Sequence, residues 1–216
     1  MNNNKYRVMV VEDQAMPRQL FEQFINTSEN FILAVSIDNA SVADIYCLKE
    51  NIDLILMDVV TSNGASGLDA AKKIKEKHPN IKIIIVTSMP ECSYIDRAKK
   101  IGIEGFWYKE TSKEKIIDVM TQVMEGNTIY PLTIQRTPIG LTFNTELTKR
   151  ELEVLREVTG GYTNTEIGEK LHISAAAVKK HIASMLDKTG FRSRTELAVR
   201  ARESGIVIIE RTDDDI

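Results

Sequence analysis

Five short apolar runs alternate with amphipathic segments between Tyr6 and about residue 125: Tyr6 to Val11, Phe31 to Ile37, Asp53 to Asp58, Ile81 to Val86, and Gly105 to Tyr108. The central one is the most demanding. Leu54, Ile55, Leu56 and Met57 are continuously apolar, the pattern of a strand buried on both faces of a parallel sheet. The run stops at Asp58, and Thr61, Ser62, Asn63 and Gly64 follow. Between the runs lie helical patterns. Pro17 opens the first, which carries Leu20, Phe21, Phe24 and Ile25. Val42, Ile45, Tyr46 and Leu48 mark the second, and Leu68, Ala71 and Ile74 mark a third that stops before Pro79. A fourth follows Pro90 to about Ile101, and Ile116, Val119, Met120 and Val123 mark the last. Strict β–α alternation predicts a parallel sheet with helices on both faces.

In such a sheet the carboxyl ends of the strands line the ligand crevice. Those ends supply Glu12 and Asp13, Asp58, Thr87 and Lys109. If the strands share one sheet, the five side chains converge. Three crowded carboxylates repel and call for a divalent cation. An all-oxygen site with open positions suits Mg²⁺, which accepts one or two carboxylates plus a phosphate. Lys109 and Thr87 then face the remaining oxygens of a phosphoryl group. Taken singly, each residue has a plainer reading: strand-end acids cap helices, and Lys109 is a surface lysine.

At 216 residues the chain suits two domains. No apolar run approaches the ~20 residues of a membrane span, and Met1 to Lys5 lacks a signal-peptide core. The expected location is the cytoplasm. Cys47 and Cys92 are expected to be free thiols, and His78, His172 and His181 lack metal-ligand spacing. Charge is uneven: net −2 over 1–140, +2 over 141–209, −3 over the last seven residues. Within 174–202 the balance is +5, a local basic patch of the kind that contacts nucleic acid.

From Thr128 to about Phe143 no helical period survives, and Pro131, Pro138 and Gly140 interrupt the stretch, which reads as a tether over 127–144. The next helix opens at Thr148, with Glu151 completing a capping box. Leu152, Val154, Leu155 and Val158 form its buried side, and Gly160 with Gly161 ends it. A helix over Thr165 to Leu171, a turn at His172 and Ile173, and a helix capped by Ser174 give a helix-turn-helix. On the last of these, Val178, Ile182, Met185 and Leu186 face inward. Lys179, Lys180 and His181 face out beside Ala175, Ala176 and Ala183. A fourth helix runs from Thr195 to about Glu203.

Residues 6–125 resemble the receiver domain of two-component response regulators, and residues 145–204 resemble the LuxR-type output domain. The second resemblance rests on Leu147 to Leu155, Thr163 to Gly168, Ile173-Ser174, Ala177 to His181 and Arg192 to Thr195. Together they look like a NarL/FixJ-type response regulator. The resemblance implies a flavodoxin-like (βα)5 receiver over 1–126, a linker over 127–144 and a four-helix domain over 145–209; the acidic tail over 210–216 belongs to no motif and is expected to be disordered. It implies that a sensor histidine kinase phosphorylates Asp58. Glu12, Asp13, Asp58 and the backbone carbonyl of Val60 would bind Mg²⁺. Thr87 and Lys109 would contact the phosphoryl oxygens, with Phe106 as the coupled aromatic. Lys179, Lys180 and His181 would meet promoter DNA, supported by Thr163, Asn164 and Arg192. Implied partners are the kinase, double-stranded DNA, a second copy upon phosphorylation and RNA polymerase, with no membrane and no enzymatic turnover beyond phosphotransfer.

The chain departs from the family pattern after the acceptor. Thr61-Ser62 stand where Met-Pro is common, and the helix-leading Gly67 is one position late, which predicts a small, mobile loop. Val60 and Met89, each two residues beyond a site residue, are apolar and are expected to screen a phospho-aspartate from water. Ala177 stands where the output domain commonly has Thr. Two other classes remain: a Mg²⁺-dependent phosphatase, which lacks an acid where Val59 and Val60 stand, and an adaptor acting through protein contacts.

Overall fold

The computed structural model describes residues 5–89, 92–109, 115–131 and 136–207. They make two compact units, 5–88 with 94–131, and 136–207 with Met89 and residues 92–93. The acidic tail lies outside the described residues.

In the first unit β1 (Tyr6–Val11), α1 (Ala15–Asn26), β2 (Phe31–Ile37) and α2 (Ala43–Lys49) precede β3 (Leu54–Asp58). A hairpin of β4 (Val60–Thr61) and β5 (Ala65–Ser66) leads into α3 (Gly67–Lys77). Then come β6 (Lys82–Thr87), α4 (Cys92–Ile101), β7 (Gly105–Tyr108) and α5 (Ile116–Met124). Five strands form one parallel sheet in the order β2-β1-β3-β6-β7, the flavodoxin-like arrangement. On one face Val8, Val10, Leu54, Leu56, Ile84 and Val86 pack with Phe21 and Ile25 of α1 and Ile116, Val119, Met120 and Val123 of α5. The alternate residues Met9, Ile55, Met57, Ile83 and Ile85 are equally buried toward the other face. Strand order reverses between β1 and β3, so their carboxyl ends flank the topological switch point.

Asp53 stands just before β3. Its carboxylate accepts the Arg7 N–H at 2.7 Å, a side-chain lock at the strand's entry. The short α2 buries Ala43 and Cys47 and leaves Ile45 and Leu48 exposed, so two of the four apolar residues that mark it in the sequence are off its packed side. Cys47 is a free thiol that burial pushes up to about 11.

The loop after Asp58 folds as a short hairpin. Val60 pairs with Ser66 and Thr61 with Ala65. Asn63 and Gly64 make the turn with φ of 63° and 74°. Thr61 Oγ1 accepts the Ala40 N–H at 2.8 Å, and the Ser62 N–H donates to the Asp38 carbonyl at 3.1 Å. The extra residue is absorbed as strand pairing.

Both ends of the stretch read as a tether are packed. Ile129 runs parallel to β7 opposite Gly105. Further on, β8 (Pro138–Ile139) and β9 (Thr142–Phe143) form a hairpin, and Ile139 belongs to the core of the second unit.

That unit continues with α6 (Lys149–Thr159), α7 (Asn164–Leu171), α8 (Ala175–Thr189) and α9 (Arg194–Glu203). Leu152, Leu155, Ile167, Val178, Ile182, Met185 and Leu197 form one core. Thr148 and Glu151 make the expected capping box on α6; Thr163 and Glu166 make a second on α7. Such caps are each worth about 1 kcal/mol. His172 ends α7 in the left-handed region, at φ 55°. A Cβ on Gly168 would lie 2.6 Å from the Ile173 carbonyl, so glycine permits the tight turn into α8. Among the described residues no helix is long and apolar enough to cross a membrane.

Candidate functional site

The strand-end residues do converge. Glu12 follows β1 and is fully buried; Asp58 ends β3 and is 4% exposed. One oxygen from each of Glu12, Asp13 and Asp58 lies within 4.8 Å of the others. Lys109, just beyond β7, donates to Asp58 Oδ2 at 2.7 Å and to Glu12 Oε2 at 2.5 Å. The Val59 N–H donates to Asp58 Oδ1 at 2.7 Å. Among the described residues, Lys109 is bonded to two of the three clustered acids, Glu12 and Asp58. Burial raises Asp58 most strongly. Lys109 opposes it, Glu12 adds to it, and the carboxyl ends at about 7.

Thr87 is buried at the end of β6, in register with Tyr108 of β7. Phe106, two residues earlier on β7, is 2% exposed. Val60 in β4 and Met89 beyond β6 are both half-buried.

The surrounding backbone is fixed by contacts that the sequence reading missed. Glu12 Oε1 accepts the Gln14 N–H at 3.1 Å, a local bond in the turn before α1. Arg18, one turn into α1, donates to the Glu12 carbonyl at 2.9 Å and anchors the peptide that carries both acids. Gly67 donates its N–H to the Val59 carbonyl at 2.7 Å. A Cβ there would lie 1.8 Å from the Asp58 carbonyl oxygen, so α3 begins against β3 only because this residue is glycine.

The donor set fits a hard divalent cation. Three carboxylate oxygens clustered at a sheet edge match the chemistry of Mg²⁺ better than that of a thiophilic metal.

In the second unit Lys179 and Lys180 are exposed on α8, His181 is half-buried, and Ala175, Ala176 and Ala183 are exposed beside them. Val178, Ile182 and Met185 turn inward. Thr163 is exposed, but its hydroxyl is committed to the Glu166 N–H at 3.3 Å. The Asn164 side-chain oxygen accepts from Arg194 at 2.6 Å, and Arg194 also bonds the Tyr162 carbonyl. Arg192 is exposed. Thus the basic helix face stands open, while Thr163 and Asn164 have structural duties as well.

A family model described as "Response regulator receiver domain" matches residues 8–121, more than half of the chain. A second, "Bacterial regulatory proteins, luxR family", matches residues 145–201. The chain belongs to the response regulators with a LuxR-type output domain. Over 220 residues the regulator is 34% identical to the uncharacterized transcriptional regulatory protein YxjL of Bacillus subtilis, covering 96% of this chain and 100% of that one. It is 29% identical over 208 residues to the response regulator protein VraR of Staphylococcus epidermidis, with 93% and 98% covered. Among solved structures it is similar to RcsB from Salmonella enterica serovar Typhimurium, bound to promoter rprA in the presence of phosphomimetic BeF3-. That match has a TM-score of 0.61 and 18% identity, covering 94% of this chain and 100% of the other, and speaks to the fold. The regulator is a transcription factor with a receiver and a DNA-binding domain.

Proposed function

We propose that Asp58 accepts a phosphoryl group from a sensor histidine kinase and that this modification governs promoter binding. The observation that carries the reading is the convergence of Glu12, Asp13, Asp58 and Lys109 at one sheet edge. A carboxylate oxygen of Asp58 attacks phosphorus, the bond to the donor imidazole nitrogen breaks, and an acyl phosphate remains. Glu12, Asp13, Asp58 and the Val60 carbonyl would hold Mg²⁺. When bound, it neutralises charge on the phosphoryl oxygens. Lys109 exchanges its contact with Asp58 for one with a phosphoryl oxygen, and Thr87 donates its hydroxyl to another.

Phosphorylation adds up to about two negative charges at a buried position. Thr87 and Phe106 respond, and the receiver face they belong to changes. Two copies then associate, and paired helix-turn-helix units occupy two half-sites. Linking two weak binders raises affinity through effective concentration rather than new base contacts. Lys179, Lys180 and His181 meet the groove, with Thr163, Asn164 and Arg192 near the backbone. The protein works in the cytoplasm and turns over no small-molecule substrate: Val59, where a phosphatase would want an acid, is fully buried and apolar.

Gel-shift titration of promoter fragments selected by the protein tests this. Beryllofluoride with Mg²⁺ is expected to tighten binding by the wild type and to leave Asp58→Asn unchanged. Equal tightening of both proteins would contradict it.

A further inference from the structure

The stretch after α5 stays with the first unit for several residues. The Ile129 N–H donates to the Glu104 carbonyl at 2.8 Å, and its carbonyl accepts the Phe106 N–H at 2.9 Å. This contact pairs one position of β7's outer edge. Tyr130 follows, half-buried, with its ring stacked on Phe106 at 6.3 Å between centroids and 23° between planes. Its hydroxyl donates to the Ile103 carbonyl at 2.9 Å, and Lys99 Nζ lies 5.1 Å from its ring centroid. Phe106 in turn meets Tyr108 edge-on at 5.2 Å and 67°. Tyr108 is the register partner of Thr87.

A row of neighbours therefore runs from the acceptor edge outward: Thr87, Tyr108, Phe106, Tyr130. We propose that Tyr130 is a positioning residue of the switch, tying the placement of the Phe106 ring to that of residues 129–131, through which the receiver continues into its DNA-binding unit. The proposal rests on the Asp58 reading and extends it to how the change is carried. Phe106 is held in two ways by one segment, its ring by Tyr130 and its backbone N–H by Ile129. Close-packed side chains move between discrete arrangements rather than deforming smoothly. A shift of the Phe106 ring must shear the stack or carry Tyr130 with it. Coupling of this kind is reciprocal, so the segment biases the site as the site biases the segment.

The test uses the full-length chain as wild type, Tyr130→Phe and Tyr130→Leu. The phenylalanine keeps the ring and gives up the bond to Ile103; the leucine keeps bulk and gives up the stack. Fluorine NMR of beryllofluoride with Mg²⁺ reports occupancy at Asp58, and amide hydrogen exchange reports Phe106 and Ile129. In the wild type and in Tyr130→Phe, occupancy is expected to change exchange at both amides together, by about fivefold for a single aromatic stack. In Tyr130→Leu, at equal occupancy, Ile129 is expected to stop following Phe106. An Ile129 amide indifferent to occupancy in the wild type, or one that follows Phe106 equally well in Tyr130→Leu, overturns the proposal. Absence of any Mg²⁺-dependent fluorine signal that Asp58→Asn removes strikes the acceptor reading itself, and the coupling falls with it.

Discussion

Lys109 holds its ammonium 2.7 Å from Asp58 Oδ2 while bonded to Glu12 with the same group. One cation thus serves two carboxylates that are both almost wholly buried. Removing it leaves two acids without their charge partner. Lys109→Ala is expected to destabilise the metal-free protein by about 3 kcal/mol, the scale of breaking a buried ion pair. Added Mg²⁺ should restore part of the loss by binding the folded state. Urea titration with and without Mg²⁺ reads both effects, and an unchanged midpoint would be inconsistent with the pairing.

Gly67 tests the packing of α3 against the acceptor. Its Cβ would collide with the Asp58 carbonyl at 1.8 Å, whereas a Cβ on Gly102 meets nothing within 4 Å. Gly67→Ala should cost about 2–4 kcal/mol and weaken Mg²⁺ binding. Gly102→Ala carries only the strain of its positive φ, about 1 kcal/mol, and should leave the metal site intact. Comparable effects of the two on Mg²⁺ affinity would argue against the close approach.

Val60 and Met89 are both half-buried and apolar. If their apolar side chains keep water from the acyl phosphate, Val60→Asn with Met89→Asn should speed its hydrolysis by about tenfold. The decay of phosphorylated protein in Mg²⁺ buffer measures this, and an unchanged half-life rejects the screening role.

Glu151 gives a pH signature in the second unit. Burial pushes its carboxyl up, but hydrogen bonds from Lys188, the Thr148 N–H, Ser184 and the Thr148 hydroxyl outweigh that and bring it to about 2. A folded value below the ordinary 4.5 adds stability that is complete above about pH 4.5 and fades as pH falls toward 2. Glu151→Gln should lower stability at neutral pH by about 1–3 kcal/mol and flatten that acid limb. Thermal melts across the acid range decide it.

On α8, Lys179→Ala with Lys180→Ala should weaken binding to random and selected duplexes alike if both lysines meet phosphates. The slope of log affinity against log salt should then fall in magnitude by about 2. Loss confined to the selected sequence would instead assign the pair to base edges.

Much of the receiver was legible because its signals are local. An apolar run ending in a polar side chain marks both a buried strand and its exit, and the five site side chains at four such ends need only one sheet to converge. The Thr148–Glu151 box is equally local. What escaped depends on contacts between distant positions. Arg18 reaches back to Glu12 across the turn into α1, Lys188 finds Glu151 across two helices, and Arg194 takes up Asn164. No spacing in the sequence encodes these. Tyr130 was hidden for another reason. A segment with one paired backbone position carries no period, so it reads as tether even though it is packed. Ile45 and Leu48 show the converse, apolar residues on a helix too short for its pattern to say which side faces in.

Phosphorylation of Asp58 is read by intact-mass and peptide mass spectrometry after incubation with a small phosphodonor such as acetyl phosphate. One Mg²⁺-dependent phosphoryl increment, labile to hydroxylamine, is expected on the peptide containing Asp58 and absent from Asp58→Asn. An increment that persists in Asp58→Asn, or that needs no divalent cation, would contradict it.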